Sequence, residues 1–121
     1  MKVNIEKKLN QINDYWNPRI VGELNGQQIR LVKILGDEFT LHKHENEDEM
    51  FLVIKGEIKL EFSDGEVDLK EGEFFIVPKG VEHRPIASEE AHLMMFVTAL
   101  NVNTGNIENK FTLDTGALEK I

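Results

Sequence analysis

The amino-acid sequence predicts an antiparallel β sandwich or barrel preceded by a short helix. Apolar residues fall in short runs roughly every 8–12 residues, and glycines punctuate the chain between them. This alternation of strands and turns is typical of all-β domains. The chain has 121 residues, which suits one domain and leaves no room for two ordinary cores. We therefore expect a single all-β domain.

The N-terminal segment predicts the helix. Ile5, Leu9 and Ile12 recur at helical spacing, which indicates a short amphipathic helix over residues 1–13. The expected layout is residues 1–18 for this helix and a lead-in segment, 19–100 for the barrel and 101–121 for a C-terminal tail. The tail is rich in Asn, Thr and Gly, so we expect it to wrap the body or a partner subunit instead of forming core.

The middle of the chain predicts the strands. Asn25-Gly26 separates the first two strands, because this dipeptide tolerates the positive φ angles of a two-residue hairpin turn. Ile58, Leu60 and Phe62 alternate with charged residues, which indicates a strand with one buried face. The predicted strands are Arg19–Leu24, Gln28–Leu35, Phe39–His44, Met50–Ile54, 58–62, Glu66–Leu69, Phe74–Val77 and Ala91–Leu100.

Composition and charge exclude several classes of function. The formal net charge is −8 and no basic cluster occurs, which disfavours nucleic acids and anionic membrane surfaces as partners. The chain has no cysteine, which excludes disulfides, thiolate metal sites and cysteine nucleophiles. The N-terminus lacks the apolar run of a signal peptide, and no apolar stretch is long enough to span a bilayer. We expect a cytoplasmic protein.

Three histidines and one glutamate give the strongest chemical signal. His42 and His44 are separated by one residue on a predicted strand, so their side chains leave the same face about 7 Å apart. Glu49 opens the next strand, and His83 follows a later turn. Imidazole and carboxylate ligands together suit a first-row divalent metal ion. The alternative interpretation is a solvent-facing histidine pair beside a solvated acidic loop, residues 45–49.

The spacing of nearby glycines and a proline favours the metal site. The first motif is Gly36-x5-His42-x-His44-x4-Glu49-x6-Gly56, and the second is Gly72-x5-Pro78-x-Gly80-x2-His83. Together they resemble the two signature motifs of the cupin superfamily, with Ala87 standing where the second motif often has Asn. The resemblance implies a jelly-roll barrel that binds one divalent ion (Fe, Mn, Zn, Ni or Cu) through His42, His44, Glu49 and His83.

Strand alternation and the resemblance together predict the wall of a pocket around these ligands. The expected lining residues are Phe51, Val53, Phe75 and Val77, with ordinary core packing as the alternative, and His92, with a surface or core position as the alternative. Arg84 follows His83 directly, so it is expected on the opposite, outer face. We expect Trp16 to pack the N-terminal helix and not to contact a ligand.

The predicted function is that of a mononuclear metal-binding cupin that acts on or binds a small oxygenated molecule, as a dioxygenase or isomerase-type enzyme. The alternative is a non-catalytic module that binds a small ligand or a sugar. The lack of an obvious general base beyond the four ligands favours the module, whereas the complete ligand set favours the enzyme. Because small cupins commonly pair through their sheets, the resemblance also implies a homodimer.

Overall fold

The described residues form an antiparallel β fold with one short α-helix, as the sequence predicts, but with seven strands where eight were expected. The structure is a computed structural model that describes residues 2–121, so Met1, the first residue of the predicted helical segment, lies outside the described residues. The elements are α1 (Ile5–Leu9), β1 (Arg19–Leu24), β2 (Gln27–Gly36), β3 (Glu49–Lys55), β4 (Glu57–Phe62), β5 (Gly65–Lys70), β6 (Phe74–Val77), β7 (His83–Thr98) and a 3-10 turn (Thr115–Ala117). Within these residues, no helix has the length and apolar character needed to cross a membrane.

The long strand β7 joins two sheets into one barrel. Its first part pairs with β4, which also pairs with β5. Its second part lies between β2 and β3, in the order β1-β2-β7-β3-β6. The predicted start of this strand at Ala91 is therefore wrong, since the strand begins at His83. The register with β2 shifts between Ile34 and Gly36, and the resulting bulge lets β7 bend from one sheet into the other.

Alternation along the strands directs one row of side chains into the barrel. On β3, Glu49, Phe51 and Val53 are buried, while the residues between them are half-buried. On β7, Leu93 and Met95 face the same interior. Full burial of one such apolar side chain contributes about 1.5–3 kcal/mol, so we expect this core to keep the barrel folded when no metal is bound.

The helix α1 is shorter than predicted and covers the outer face of the larger sheet. It begins after Asn4, whose side-chain oxygen accepts a hydrogen bond from the amide of Lys7 at 2.9 Å. Leu9 and Ile12 bury themselves against Leu31 of β2. Both faces of β2 therefore carry buried apolar residues, because Val32 and Ile34 on its inner face meet the barrel core and Leu31 on its outer face meets the helical segment.

The predicted strand Phe39–His44 does not form. Only His42 pairs with a strand, through main-chain hydrogen bonds to His83 of 3.0 and 2.8 Å. The main chain of Lys43 instead bonds to the tail, donating to Asn106 Oδ1 at 2.9 Å and accepting from the Asn106 amide at 3.0 Å. The tail thus takes the place that a neighbouring strand would occupy.

The tail wraps the body and also contributes buried residues. Asn101 is 1 % exposed and Thr104 is fully buried, which corrects the expectation that the tail lies outside the core. Phe111 packs on Phe39, with ring centroids 5.3 Å apart. Residues 101–106 together close the barrel over the segment that carries His42 and His44.

An uncharged face of the larger sheet remains exposed beside α1. Phe74, Ile76 and Phe96 are exposed there, next to the half-buried Met50 and Leu52. Two copies with a net charge of −8 each repel one another, so a contact between them is favoured where neither copy presents an acid. The homodimer stays a prediction, and this face is where we place its contact.

A substitution at Gly105 tests how closely the tail must pack against the segment that carries His42 and His44. Gly105 has a φ of +56°, and a Cβ at this position would overlap the carbonyl oxygen of Lys43. We expect Gly105→Ala to lower the free energy of unfolding by about 1–3 kcal/mol, because the tail must shift or the backbone must strain. The control Gly116→Ala lies in the same tail where a Cβ meets no atom within 4 Å. Thermal unfolding of the two variants checks this, and equal melting temperatures would show that the tail docks loosely.

Candidate metal centre

Three chain segments bring the four predicted ligands together. His42 and His44 lie on the extended segment before β3, Glu49 is the first residue of β3, and His83 is the first residue of β7. The main-chain bridge between His42 and His83 fixes two of these segments side by side. The amide of Gly80 donates to the carbonyl oxygen of His44 at 2.7 Å and links the same two segments again, while the pairing of Glu49 with Val77 holds β3 beside them.

The four side chains converge at one buried point. His42, His44, Glu49 and His83 each offer one nitrogen or oxygen atom, and all four of these atoms lie within 4.8 Å of one another. All four residues are buried, with at most 5 % exposed. Zn²⁺ bonds to nitrogen and carboxylate oxygen are about 2.0–2.2 Å long, so ligand atoms on one ion lie at most about 4.4 Å apart, and a small inward shift of these side chains would bring all four within that range.

The outer nitrogens of two imidazoles are fixed by main-chain carbonyl groups. His42 Nδ1 lies 2.8 Å from the oxygen of Thr40, and His83 Nδ1 lies 2.9 Å from the oxygen of Val81. A carbonyl accepts, so each Nδ1 carries the proton and each Nε2 presents a lone pair to the interior. His42 Nε2 is buried without a hydrogen-bond partner among the described residues. This arrangement orients imidazoles as metal ligands.

The pairing of His83 with Glu49 also fits a cation. His83 Nε2 lies 3.0 Å from Glu49 Oε1, while Nδ1 of the same ring already donates to Val81. Without a metal, both contacts are satisfied only when the ring carries two protons. A cation bound among these atoms takes the place of the second proton, so the donor set suits a divalent ion.

Burial and the neighbouring charges set the protonation of the site. Burial, together with the charge of His83, lowers the pKa of His42 to about 4, so this ring is neutral at pH 7. Burial opposes ionisation of Glu49, yet the adjacent imidazoles of His44 and His83 outweigh it and hold the pKa of this carboxyl well below its usual value. Burial likewise lowers the pKa of His44, but Glu49 and Glu47 outweigh that effect and raise it overall.

Glu47 and Asn101 surround His44 on its outer side. Glu47 Oε1 lies 3.6 Å from His44 Nδ1, and His44 Nε2 lies 3.2 Å from Glu49 Oε2 without the angle of a hydrogen bond. The amide nitrogen of Asn101 lies 3.1 Å from Glu49 Oε2 and 3.3 Å from His44 Nδ1. Asn101 therefore holds the carboxylate and the imidazole in place together.

A cavity opens from this centre to the surface. The centre of a water-sized sphere can move through about 40 Å³ of it, and the space between the atoms, including the solvent-open mouth, is about 450 Å³. The apolar wall consists of Val32, Ile34, Phe39, Phe51, Leu93 and Met95. The polar groups at its base are Arg30, His42, Glu49 and Asn101, with Asn103 beside them. The interior accordingly has room for a small ligand only.

Of the predicted lining residues, Phe51 reaches this cavity and the others do not. Val53 lies four residues along β3 from Glu49, and at about 3.3 Å per residue it sits deep in the core. Val77 belongs to the same core, and Phe75 packs against Phe62 with ring centroids 5.5 Å apart. These positions correct the prediction, since inward parity alone does not say how far along the barrel a residue lies.

His92 and Arg84 both lie away from the cavity. His92 Nε2 contacts Glu90 at 2.7 Å on the outward side of β7, which rules out the weaker prediction that it lines the pocket. Arg84 pairs with Glu61 at 3.1 Å and with the main chain of Asp37, in keeping with the outer position expected for it.

Among the cavity residues that sequence reasoning missed are Trp16, Arg30 and Asn101. Trp16 lines the mouth of the cavity and stacks on Phe39 at 4.8 Å, with a φ of +61°, in place of the predicted role of packing α1. Arg30 points into the barrel from β2 and is 1 % exposed. Asn101 arrives from the tail. Arg30 shares the parity of Val32 and Ile34, but this parity does not identify the inner face in the sequence, because both faces of β2 carry buried apolar residues.

The comparisons with known proteins agree with this geometry. A sequence profile described as the cupin domain matches residues 33–99. The chain belongs to the cupin family. The matched segment of this cupin contains all four candidate ligands, whereas Arg30 and Asn101 lie outside it.

Several relatives share the fold and much of the sequence. A crystal structure of a cupin-2 domain containing protein from Shewanella frigidimarina is 40 % identical, covering 78 % of this chain and 91 % of that one, with a TM-score of 0.76. The crystal structure of protein NMB1881 from Neisseria meningitidis is 33 % identical, covering 81 % and 99 %, with a TM-score of 0.74. The uncharacterized protein YdbB of Bacillus subtilis is 37 % identical over 65 residues, which span 53 % of this cupin and 57 % of YdbB.

Replacing single histidines tests the ligand set. We expect the protein to bind about one divalent ion per chain, and His42→Ala or His83→Ala to lose most of it, because each removes a ligand that the remaining three do not replace. The loss of affinity should exceed the roughly 10–100-fold that removing a hydrogen-bond partner of a ligand costs. Elemental analysis of protein purified without chelators measures the metal content per chain. His92→Ala is the matched control, and equal metal content in all three variants would refute the assignment.

Proposed function

We propose that this cupin binds one divalent metal ion through His42, His44, Glu49 and His83 and uses it to bind a small oxygenated molecule in the adjoining cavity. The convergence of four buried ligand atoms on the base of a cavity carries this proposal. Burying three imidazoles and a carboxylate at one point is unfavourable unless something compensates their lost hydration. A bound ion supplies that compensation.

The residues around the centre have different roles in the proposed binding of a ligand. The bound ion would supply Lewis acidity toward an oxygen atom of the ligand, with positions left open by the four protein ligands. The wall formed by Phe39, Phe51 and Leu93 excludes water and contacts the apolar body of the ligand. Asn101 keeps Glu49 and His44 oriented toward the centre. As the first candidate function, we propose that the protein is an enzyme of the dioxygenase or isomerase type.

A non-catalytic binding module is the second candidate. Within residues 2–121, the cavity wall offers no carboxylate or imidazole apart from the metal ligands themselves. A reaction that needs a separate protein base at this cavity therefore lacks one. This observation favours a module in which the ion orients a ligand without transforming it.

Ligand screening with and without metal tests the proposal. Small bidentate oxygen donors, such as diketones and catechols, should raise the melting temperature of the metal-loaded protein and leave the metal-free protein unchanged. A ligand present at about 100 times its Kd contributes about 2.7 kcal/mol to the free energy of unfolding, which a thermal scan resolves easily. Stabilisation that ignores the metal would contradict the proposal.

Turnover then separates the two candidates. If the protein is an oxygenase, its ferrous form consumes dioxygen with one of these ligands, and Glu49→Gln lowers the rate more than it lowers the affinity for the ligand. Glu108→Gln, at an exposed carboxylate of the tail, is the matched control. Binding without any turnover, tested with iron, manganese, nickel, copper and zinc, would identify the module.

A further inference from the structure

Arg30 is a buried cation with a free hydrogen-bonding atom at the base of the cavity. Its Nε donates to Gln28 Oε1 at 3.0 Å, and its Nη1 donates to the main-chain and side-chain oxygens of Asn101 at 3.0 and 3.3 Å. Its Nη2 is buried and has no partner in the part of the chain that the structure describes. A buried donor left unpaired costs about 1–3 kcal/mol, and more when it is charged. Something outside the protein should therefore pair with this atom.

The residues beside Arg30 hold its guanidinium in a fixed position. Gln28 and Asn101 occupy the other two nitrogens, and Asn101 also contacts Glu49. Arg30 is thus connected to the metal centre through one side chain and cannot rotate away to solvent. Two of its three nitrogens serve this fixation, and the third is left for a ligand.

The charges around the cavity leave one positive charge to be neutralised. The carboxylates that act on Arg30 are those of Glu49 and Glu47. A divalent ion and Arg30 together bring three positive charges against these two negative ones. Unbalanced charge in a buried site is unfavourable, so a ligand with one negative charge is preferred to a neutral one.

We propose that the cavity binds a small monocarboxylate, whose carboxylate accepts a hydrogen bond from Arg30 Nη2 while a second oxygen faces the metal centre. This inference rests on the proposed function and names the ligand class for the same site. Hydrogen bonds between an arginine and a carboxylate are charge-assisted and about twice as strong as those between neutral groups.

The rest of the cavity limits the body of this acid. Asn103 is already engaged, because its amide nitrogen donates to Phe111 and its oxygen accepts from Leu113. The remaining wall is apolar, and the space between the atoms is about 450 Å³ including the open mouth. A short or branched hydrocarbon chain fits such a space, whereas a polyhydroxylated chain would bury hydroxyl groups without partners. Phosphate is disfavoured, because one free nitrogen serves a single oxygen.

A matched acid and amide test the proposal on zinc-loaded protein. The probes are 2-hydroxy-3-methylbutanoate and 2-hydroxy-3-methylbutanamide, which differ only in charge and the terminal group. We expect calorimetry to show that the wild type binds the acid at least about tenfold more tightly than the amide. Arg30→Met should remove most of this preference by weakening only the acid. Arg84→Met, which removes a surface arginine, should leave it unchanged.

A second measurement holds if Arg30→Met fails to fold. The chain has only three arginines, so their guanidinium nitrogens are readily assigned by ¹⁵N nuclear magnetic resonance. In the wild type, the acid should shift the Arg30 signals and the amide should not. Inorganic phosphate serves as the competing anion, and tighter binding of phosphate than of the acid would overturn the carboxylate class.

The outcomes distinguish this inference from the proposed function. Bound zinc, an acid preference that survives in Arg30→Met and unshifted Arg30 signals would overturn the role of Arg30 and leave the metal site standing. Failure of the wild type to bind zinc would contradict the proposed function. If the metal-free wild type then still prefers the acid, with shifted Arg30 signals, the anion site is supported on its own. Equal affinity for acid and amide in the zinc-loaded wild type would overturn the inference.

Discussion

The pairing of Glu49 with the imidazoles of His44 and His83 is the interaction on which the interior of this barrel depends. The Glu49 carboxylate is 1 % exposed, and ionised groups tolerate such burial only beside compensating charge and hydrogen bonds. Nitrogens of His44 and His83 lie 3.2 and 3.0 Å from its two oxygens. The main-chain bridge between His42 and His83 and the amide of Asn101 then keep these groups aligned. A divalent ion at this point would compensate the lost hydration of these four buried groups.

The tail makes this interior possible. A barrel whose ligand segment lacks a neighbouring strand would expose the main chain of Lys43 to water, and Asn106 satisfies it instead. The same tail delivers Asn101, which links Glu49 to Arg30. The candidate metal ligands and the free nitrogen of Arg30 are therefore parts of one cavity, built from the barrel and closed by the chain that follows it.

The sequence predicts the ligands much better than it predicts their surroundings. His42, His44, Glu49 and His83 are found because local spacing and turns place them, and spacing is visible in a sequence. Arg30 and Asn101 are not predicted as cavity residues, because strand pairing and tail docking place them and neither leaves a local pattern in the sequence. The start of β7 at His83 is not predicted for a related reason. The bend that takes this strand from one sheet to the other depends on pairing with distant strands and leaves no strand pattern in the local sequence. Alternation correctly assigns the faces of β3 but not the depth of Val53.

Anomalous diffraction from crystals of protein purified without chelators would locate the ion itself. We expect one metal peak per chain, about 2.0–2.2 Å from Nε2 of each of the three imidazoles and from an oxygen of Glu49. The contact of 3.0 Å between His83 and Glu49 should then give way to bonds from both residues to the ion. A metal peak elsewhere, or metal-free crystals grown with added zinc in which His83 still bonds to Glu49, would contradict the binding of a metal ion by these four residues.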